Sequence, residues 1–256
     1  MASDLPKVLV PVGGRPMIRY VIDAVRAAGA GRILLVVGYR SDLVRQELAA
    51  EENIEFVEQS QQLGTGHAVM MCRDRLLGQT GPVLILAGDS PLVQVSSLEA
   101  LLAEFAARQP ACLLGTAHKA NPAGLGRIVR DAAGDFRGIV EEKDATPEQR
   151  AITEVNLSTY VFRPDGLLSA LQQLTANNAQ GEYYLTDCPS VLMAAGETVL
   201  ALPALKPCET LSINTPDELK AVEAEMNKIA DCGLGIADFS SSTSPESKSK
   251  IQNSHE

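Results

Sequence analysis

Asp89 stands at the end of Leu84-Ile85-Leu86-Ala87-Gly88-Asp89-Ser90-Pro91, where an apolar run over 83–87 breaks into a glycine, an acid and a serine-proline turn. The run predicts a strand buried on both faces. In open α/β sheets ligands collect beyond the carboxyl ends of strands, so a carboxylate there is placed to hold a metal ion. As a turn former, the same aspartate would only shape the chain reversal. Lys7 follows Pro6, which restrains the local backbone, so its ammonium reads either as an aimed cation or as a solvated surface group. Gln62-Leu63-Gly64-Thr65-Gly66-His67-Ala68 is a glycine-bracketed loop that opens a helix. Such a loop lets a ligand approach the backbone, and the helix amino end favours anionic or carbonyl groups. Plain N-capping by Thr65 is the alternative, and His67 in the first helical turn reads as packed rather than catalytic.

Three further positions could carry chemistry. The acids Glu141-Glu142 invite a glycosidase reading, but adjacent strand residues point to opposite faces, so at most one lines a cleft. Asn156 sits in a strand pattern where asparagine is depleted; a hydrogen bond to a ligand or the satisfaction of a bulge would explain it. Asn214 precedes Thr215-Pro216-Asp217-Glu218, a capped helix start, and on that pattern alone is a pre-cap residue.

These residues need elements to position them. Residues 3–9 read as a loop entering a short extended run, and Gly13-Gly14-Arg15-Pro16 as a turn, with Pro16 suited to the first turn of a helix over 16–28. A buried strand is expected at 33–38 and a second strand at 54–57, with a helix over 42–50 between them. A helix from Thr65 to about Leu76 leads to the strand at 83–87. Residues 96–107 form a helix capped by Ser96 or Ser97, and 112–117 a strand. The run of strand, helix, strand, helix, strand implies a doubly wound, Rossmann-like α/β fold with a mostly parallel sheet. Right-handed crossovers would turn Gly64-Thr65 and Asp89 toward one crevice. From Gly124 the rhythm changes to strand, polar turn and strand (125–130 and 136–142), a β-hairpin laid beside the main sheet as a small substrate-side subdomain. Then come a strand within 152–162, a helix over 164–174, a polar loop over 177–187, a strand over 198–203 and a helix to about Ile229. A single domain would span 1–235, and the serine-rich tail, 236–256, would be disordered.

Composition sets the class. With 22 Lys and Arg against 32 Asp and Glu, the net charge is −10. A nucleic-acid binder would show a basic stripe, and none is present. Any phosphate must therefore be held locally, by backbone amides, one or two cations or a divalent metal. Five cysteines, odd in number and without a C-x-x-C pair, argue against a zinc site or a disulfide framework and suit a reducing, cytoplasmic setting. No apolar span approaches the ~20 residues of a membrane helix.

Several stretches together resemble the N-terminal uridyltransferase domain of bacterial N-acetylglucosamine-1-phosphate uridyltransferases, within the sugar nucleotidyltransferase superfamily. They are Ser3-Asp4-Leu5-Pro6-Lys7-Val8-Leu9, the 62–68 loop, Gly88-Asp89-Ser90-Pro91-Leu92, Gly126-Arg127-Ile128, Ile139-Val140-Glu141-Glu142-Lys143-Asp144-Ala145, Glu154-Val155-Asn156 and Asn178-Ala179-Gln180-Gly181-Glu182-Tyr183-Tyr184. They occur in family order from residue 3 to about 225. The resemblance implies transfer of UMP from UTP to N-acetylglucosamine 1-phosphate, giving pyrophosphate and UDP-N-acetylglucosamine, a cell-wall precursor. It implies Mg2+ held by Asp89 and Asn214, with Lys7 reaching the nucleotide phosphates. Gln59, Gly64 and Thr65 match the uracil readers, and Gly126, Glu141 and Asn156 match groups that hold the sugar. Gly88 falls on the substrate side.

Departures from the family pattern qualify this. The family begins with a strand and a Leu-Ala-Ala-Gly-x-Gly-Thr-Arg-Met loop that cradles the triphosphate, and this sequence starts at what would be the loop's final methionine. Either the start codon was assigned too late or the polypeptide is a true truncation, and in the second case poor folding and little or no transfer are expected. Ala87 replaces a tyrosine found in many members. No hexapeptide repeat of an acetyltransferase β-helix follows, so acetyl transfer is not expected. Two other readings stay open: a non-catalytic relative that binds a sugar nucleotide or a partner protein, and the same reaction with a different nucleotide or sugar phosphate. A homo-oligomer is also left open.

Overall fold

The computed structural model describes residues 4–231. The expected tail, 236–256, and Cys232 lie outside them. A turn of 3-10 helix at Lys7–Leu9 enters a small antiparallel hairpin, β1 (Pro11–Val12) and β2 (Arg15–Pro16). Gly13 and Gly14 make its turn at φ of 56° and 81°, a region that disfavours side chains. Helix α1 (Met17–Ala27) buries Met17, Ile18, Val21, Ile22 and Val25 as their spacing predicts, with Pro16 as its N-cap. Next come β3 (Ile33–Val37), α2 (Ser41–Glu47) and β4 (Ile54–Glu58), with β3 and β4 parallel. The helix expected to run to Leu76 is two pieces, α3 (Thr65–Met70) and α4 (Arg73–Leu76).

Beyond them follow β5 (Val83–Ile85), α5 (Val95–Arg108), β6 (Cys112–His118), β7 (Gly126–Arg130), β8 (Phe136–Val140), α6 (Pro147–Arg150) and β9 (Glu154–Phe162). Helices α7 (Pro164–Leu171) and α8 (Cys188–Ala194), strand β10 (Val199–Leu202) and helix α9 (Pro216–Asp231) complete the order. Neither serine expected to cap α5 does so. Gln94 is the N-cap, and the Glu209 carboxylate accepts from the Gln94 amide at 3.1 Å and from the Ser97 hydroxyl at 2.6 Å.

The six-stranded sheet runs β10-β6-β9-β7-β8, with β5 also on β9. Strands β5, β6, β7 and β10 point one way, and β8 and β9 the other. The doubly wound α/β expectation therefore stands, with one correction. The 126–140 hairpin is not laid beside the sheet; it continues it, because Gly126 and Arg127 pair with Asn156 and Val155 of β9. One edge of β9 carries β6 along its length, and the other carries β7 first and β5 second. Successive β9 side chains fill opposite cores. Tyr160 and Phe162 pack toward α7 and α8, while Val161 packs toward α5 with Leu101, Phe105 and Leu113.

Strands β3 and β5 depart from the both-faces-buried expectation. Residues 33–36 and 83–86 are apolar but only half-buried. Among the described residues β3 is hydrogen-bonded to β4 alone and β5 to β9 alone, so each keeps an open edge.

Phe162 is wholly buried where β9 meets both β5 and β6. Phe162→Ala is expected to lower the unfolding free energy by about 3–5 kcal/mol. The measurement is a fall in the urea midpoint at unchanged m-value.

Candidate active site

Lys7, Asp89 and Asn214 come from three distant parts of the chain and meet at one point. Pro6 caps the 3-10 turn that presents Lys7. Asp89 lies just past the end of β5, and Asn214 just before α9. The Lys7 Nζ donates to Asp89 Oδ2 at 2.6 Å and to Asn214 Oδ1 at 3.1 Å. Two features bring Asn214 there. Helix α9 packs Val222, Met226 and Ile229 against Val10, Val12 and Met17. A capping arrangement then fixes the helix start: Thr215 Oγ1 accepts from the Glu218 amide at 3.2 Å, and Glu218 Oε2 accepts from the Asn214 and Thr215 amides at 2.7 and 2.9 Å. Asn214 thus serves the cap through its backbone while its side chain reaches Lys7. Lys7 and Asp89 are a third or more exposed, and an ion pair so placed contributes only about 0–1 kcal/mol. Stability does not explain the convergence. Two oxygen donors aimed at one cationic point suit a hard divalent ion that takes its other ligands from phosphates and water. Among the described residues no group of three or more His, Cys, Asp or Glu gathers around a metal position. Gly88 lets this corner close, since a Cβ there would stand 3.1 Å from Ile18 Cδ1.

The glycine loop is built by backbone contact. Gly64 is the N-cap of α3 at φ 107°, and a Cβ on it would lie 2.6 Å from the Tyr183 carbonyl oxygen. Both facts require glycine. Thr65 does not cap the helix; its hydroxyl accepts from the Leu185 amide at 3.1 Å. The Gly66 amide donates to Tyr183 O and the Tyr183 amide to Leu63 O, each at 2.8 Å, so residues 183–185 run alongside the loop. Gln59, just past β4, spans the loop from the other side. Its Nε2 donates to Gly64 O at 3.1 Å and lies 3.0 Å from His67 Nδ1.

Glu141, Gly126 and Asn156 form a third group. A Cβ on Gly126 would stand 3.5 Å from both Glu141 carboxylate oxygens. Gly126 is also the register partner of Asn156. The Asn156 Nδ2 donates to Tyr160 Oη at 2.8 Å, and its Oδ1 accepts from the Ser158 amide at 3.2 Å. The pairing of β6 with β9 jumps from Gly115↔Thr159 to Thr116↔Asn156, and Ser158 adopts φ 56°. Asn156 therefore does satisfy a bulge, and it does so beside Glu141. The two neighbouring glutamates diverge, although β8 ends at Val140 and Glu142 lies in the turn beyond it rather than in the strand expected through 142. Glu142 pairs with Arg127 at 2.6 Å, whereas Glu141 Oε1 accepts from Thr186 Oγ1 at 3.0 Å. Burial pushes the Glu141 carboxyl above its ordinary range; the Thr186 bond opposes this, and the nearby Asp144 and Asp187 add to it. Asp187 is also pushed up, by burial and then by Asp144.

A cavity of about 940 Å³ has Thr65, Gly88, Glu141, Tyr184 and Thr186 on its wall, whereas Lys7, Asp89 and Asn214 do not line it. Sequence reasoning missed Thr186 and the part of His67. Leu185 holds Thr65 and Thr186 holds Glu141, so two consecutive residues tie the glycine loop to the acid. Their only sequence signal is the polar, tyrosine-bearing loop before them.

The chain matches the nucleotidyl transferase family over residues 1–206. It is 45% identical over 244 residues to the Bifunctional protein GlmU of Cupriavidus taiwanensis, covering 93% of this chain and 53% of that one. To the protein of the same name from Geotalea daltonii it is 43% identical over 224 residues, 88% of this chain and 49% of the relative. The chain thus spans about half the length of the curated relatives it matches. A solved UDP-glucose pyrophosphorylase complexed with UDP-glucose shares the fold at a TM-score of 0.69 and 17% identity, over 88% of this chain and 91% of that one. With the family match extending over most of its length, the chain belongs to the nucleotidyl transferase family.

Proposed function

We propose that this chain transfers UMP from UTP to N-acetylglucosamine 1-phosphate, forming UDP-N-acetylglucosamine and pyrophosphate. The observation that carries the proposal is the convergence of Asp89 and Asn214 on the Lys7 ammonium. Pure nucleotide binding does not need two oxygen donors aimed at one cation. The relatives named above, at 43% and 45% identity, support the choice of substrates.

In the proposed reaction an oxygen of the sugar phosphate attacks the α-phosphorus in line. The new O–P bond forms as the bond to the bridging oxygen breaks, and that oxygen leaves with the electron pair as part of pyrophosphate. The protein positions the partners and meets the charge of the phosphates. Asp89 and Asn214 would hold Mg2+, which when bound would neutralise phosphate oxygens and order the triphosphate. Lys7 brings its ammonium to the same phosphates. Gln59 has its amide nitrogen committed to Gly64 O and His67, so its carboxamide oxygen is the group to accept from the uracil imide. Gly64 and Thr65 would present the loop backbone to the base. Glu141 would accept from sugar hydroxyls, with Asn156 and Gly126 shaping the wall beside it.

Pyrophosphate release from a panel of nucleoside triphosphates and sugar phosphates is expected only with UTP, N-acetylglucosamine 1-phosphate and magnesium. Asp89→Ala should reduce it at least about 100-fold. Magnesium-independent nucleotide binding without turnover would instead identify a non-catalytic relative.

Glu141 allows a second test. At pH values where an unfolded glutamate has ionised, the native carboxyl still favours its proton. Ionising it therefore costs stability, increasingly as pH rises through the raised native value, and costs nothing below the ordinary range. Glu141→Gln is expected to raise the melting temperature at about pH 8, with the gain vanishing near about pH 4. The same variant should raise KM for the sugar phosphate about tenfold or more. An equal change in melting temperature at both pH values would contradict the assignment.

A further inference from the structure

We propose that His67 is a positioning residue that selects the nucleobase by locking the Gln59 carboxamide in one orientation, a role that rests on Gln59 being the uracil reader. Gln59 is anchored before its side chain begins, because it directly follows β4 and its amide donates to Val37 O at 2.8 Å. Its Nε2 carries two hydrogens, and Gly64 O at 3.1 Å and His67 Nδ1 at 3.0 Å lie within reach of them. The Gly64 carbonyl decides the orientation. A carbonyl oxygen only accepts, so the end of the carboxamide that faces it is the nitrogen. That oxygen is itself held, since it also accepts from the Ala68 amide at 3.1 Å. The second hydrogen on Nε2 then meets His67 Nδ1, which must be the bare nitrogen of a neutral ring whose proton sits on Nε2. His67 reaches this place because it is the third residue of α3, and helical side chains lean back toward the amino end.

The lock has a consequence for base choice. Uracil presents a donor at N3, whereas cytosine presents a bare N3 that accepts. A Gln59 oxygen held toward the base accepts from uracil and opposes cytosine. To meet cytosine the carboxamide must turn over, and its oxygen then faces two acceptors, Gly64 O and His67 Nδ1. Each supplies one penalty against the turned state, so removing the His67 nitrogen removes one of the two. The ring of His67 also lies beside that of Tyr183, with centroids 6.3 Å apart. Packing against Tyr183 asks for a ring at position 67, and the carboxamide asks in addition for an accepting nitrogen at Nδ1. The two demands are separable by substitution.

The test is equilibrium dialysis of the 256-residue chain against radiolabelled UTP and CTP with magnesium, read as the ratio of the two dissociation constants. The nucleotides share a triphosphate, so contacts to phosphate cancel in the ratio. His67→Phe keeps a ring beside Tyr183 and is expected to shrink the preference for UTP about tenfold, chiefly by admitting CTP. His67→Asn, whose side-chain oxygen stands close to where Nδ1 stands, should restore the preference. In a Gln59→Met chain, His67→Phe should change the ratio no further, because His67 acts through the carboxamide. An unchanged ratio in His67→Phe, or in His67→Met should the phenylalanine variant not fold, would overturn the proposal. So would an asparagine variant as indiscriminate as the phenylalanine one. A nitrogen NMR spectrum of the His67 ring at about pH 8, where an ordinary imidazole is neutral, needs no nucleotide. Nδ1 is expected to be bare, with a resonance that moves in Gln59→Met; a proton on Nδ1 would overturn the lock. A chain that bound neither nucleotide would count against the uridyl-transfer reading, and the ring spectrum would still decide the lock.

Discussion

One strand has to serve two halves of this fold. β9 pairs with β5, β6 and β7 and runs against all three. On the edge away from β6, its first residues meet the hairpin strand and its last meet β5. The pairing with β6 skips Leu157 and Ser158 between those two sets of partners, and Ser158 takes a left-handed conformation to absorb the extra length. Asn156 holds that irregularity by accepting from Ser158 and donating to Tyr160. The bulge thus sits where the β5 part of the sheet is joined to the hairpin part, beside Glu141. A polar residue inside a buried strand costs stability unless it is fully bonded, and Asn156 is bonded on both ends of its amide.

The second constraint is close approach of backbones. Residues 182–185 run so near the glycine loop that a Cβ at Gly66 would meet the Tyr183 carbonyl oxygen at 2.9 Å, and one at Gly64 would meet it at 2.6 Å. The amide and hydroxyl bonds along this seam fix Thr65, and the next residue, Thr186, fixes Glu141. A shift of the 182–186 segment would therefore move the glycine loop and the buried acid together. The two ends of the cavity are mechanically linked although they come from opposite parts of the chain.

Much of this was legible in the residues. Apolar periodicity located α1, β3, β4, β6 and the hairpin, since burial of one stripe or both faces leaves a local pattern. The divergence of Glu141 and Glu142 was expected from strand geometry, but β8 ends at Val140 and the turn after it separates them instead. What pattern could not show was anything set by partners far along the chain. Thr65 looks like a helix cap but bonds Leu185; Ser97 looks like a cap but bonds Glu209. The break after Met70 and helix α8 left no clear periodic signal, because each is short and held by packing. The half-burial of β3 and β5 was illegible for a different reason. Composition reports how apolar a strand is, and only the three-dimensional neighbours report whether its edges are covered.

Charge explains why the convergence at Lys7 matters. A chain with a net charge of −10 repels a polyanionic nucleotide at long range. At physiological ionic strength that repulsion is screened beyond about 8 Å, so recognition falls to groups within the first few ångströms of the phosphates. In the proposed reaction Lys7 would be one such group, and it is held by two oxygens that suit a divalent ion. The ammonium and the oxygen pair therefore work as one local device: the carboxylate and the carboxamide orient the lysine, and all three aim at the same point. A free surface lysine would keep its charge but lose that aim, and for phosphoryl chemistry the placement of charge counts for more than its amount.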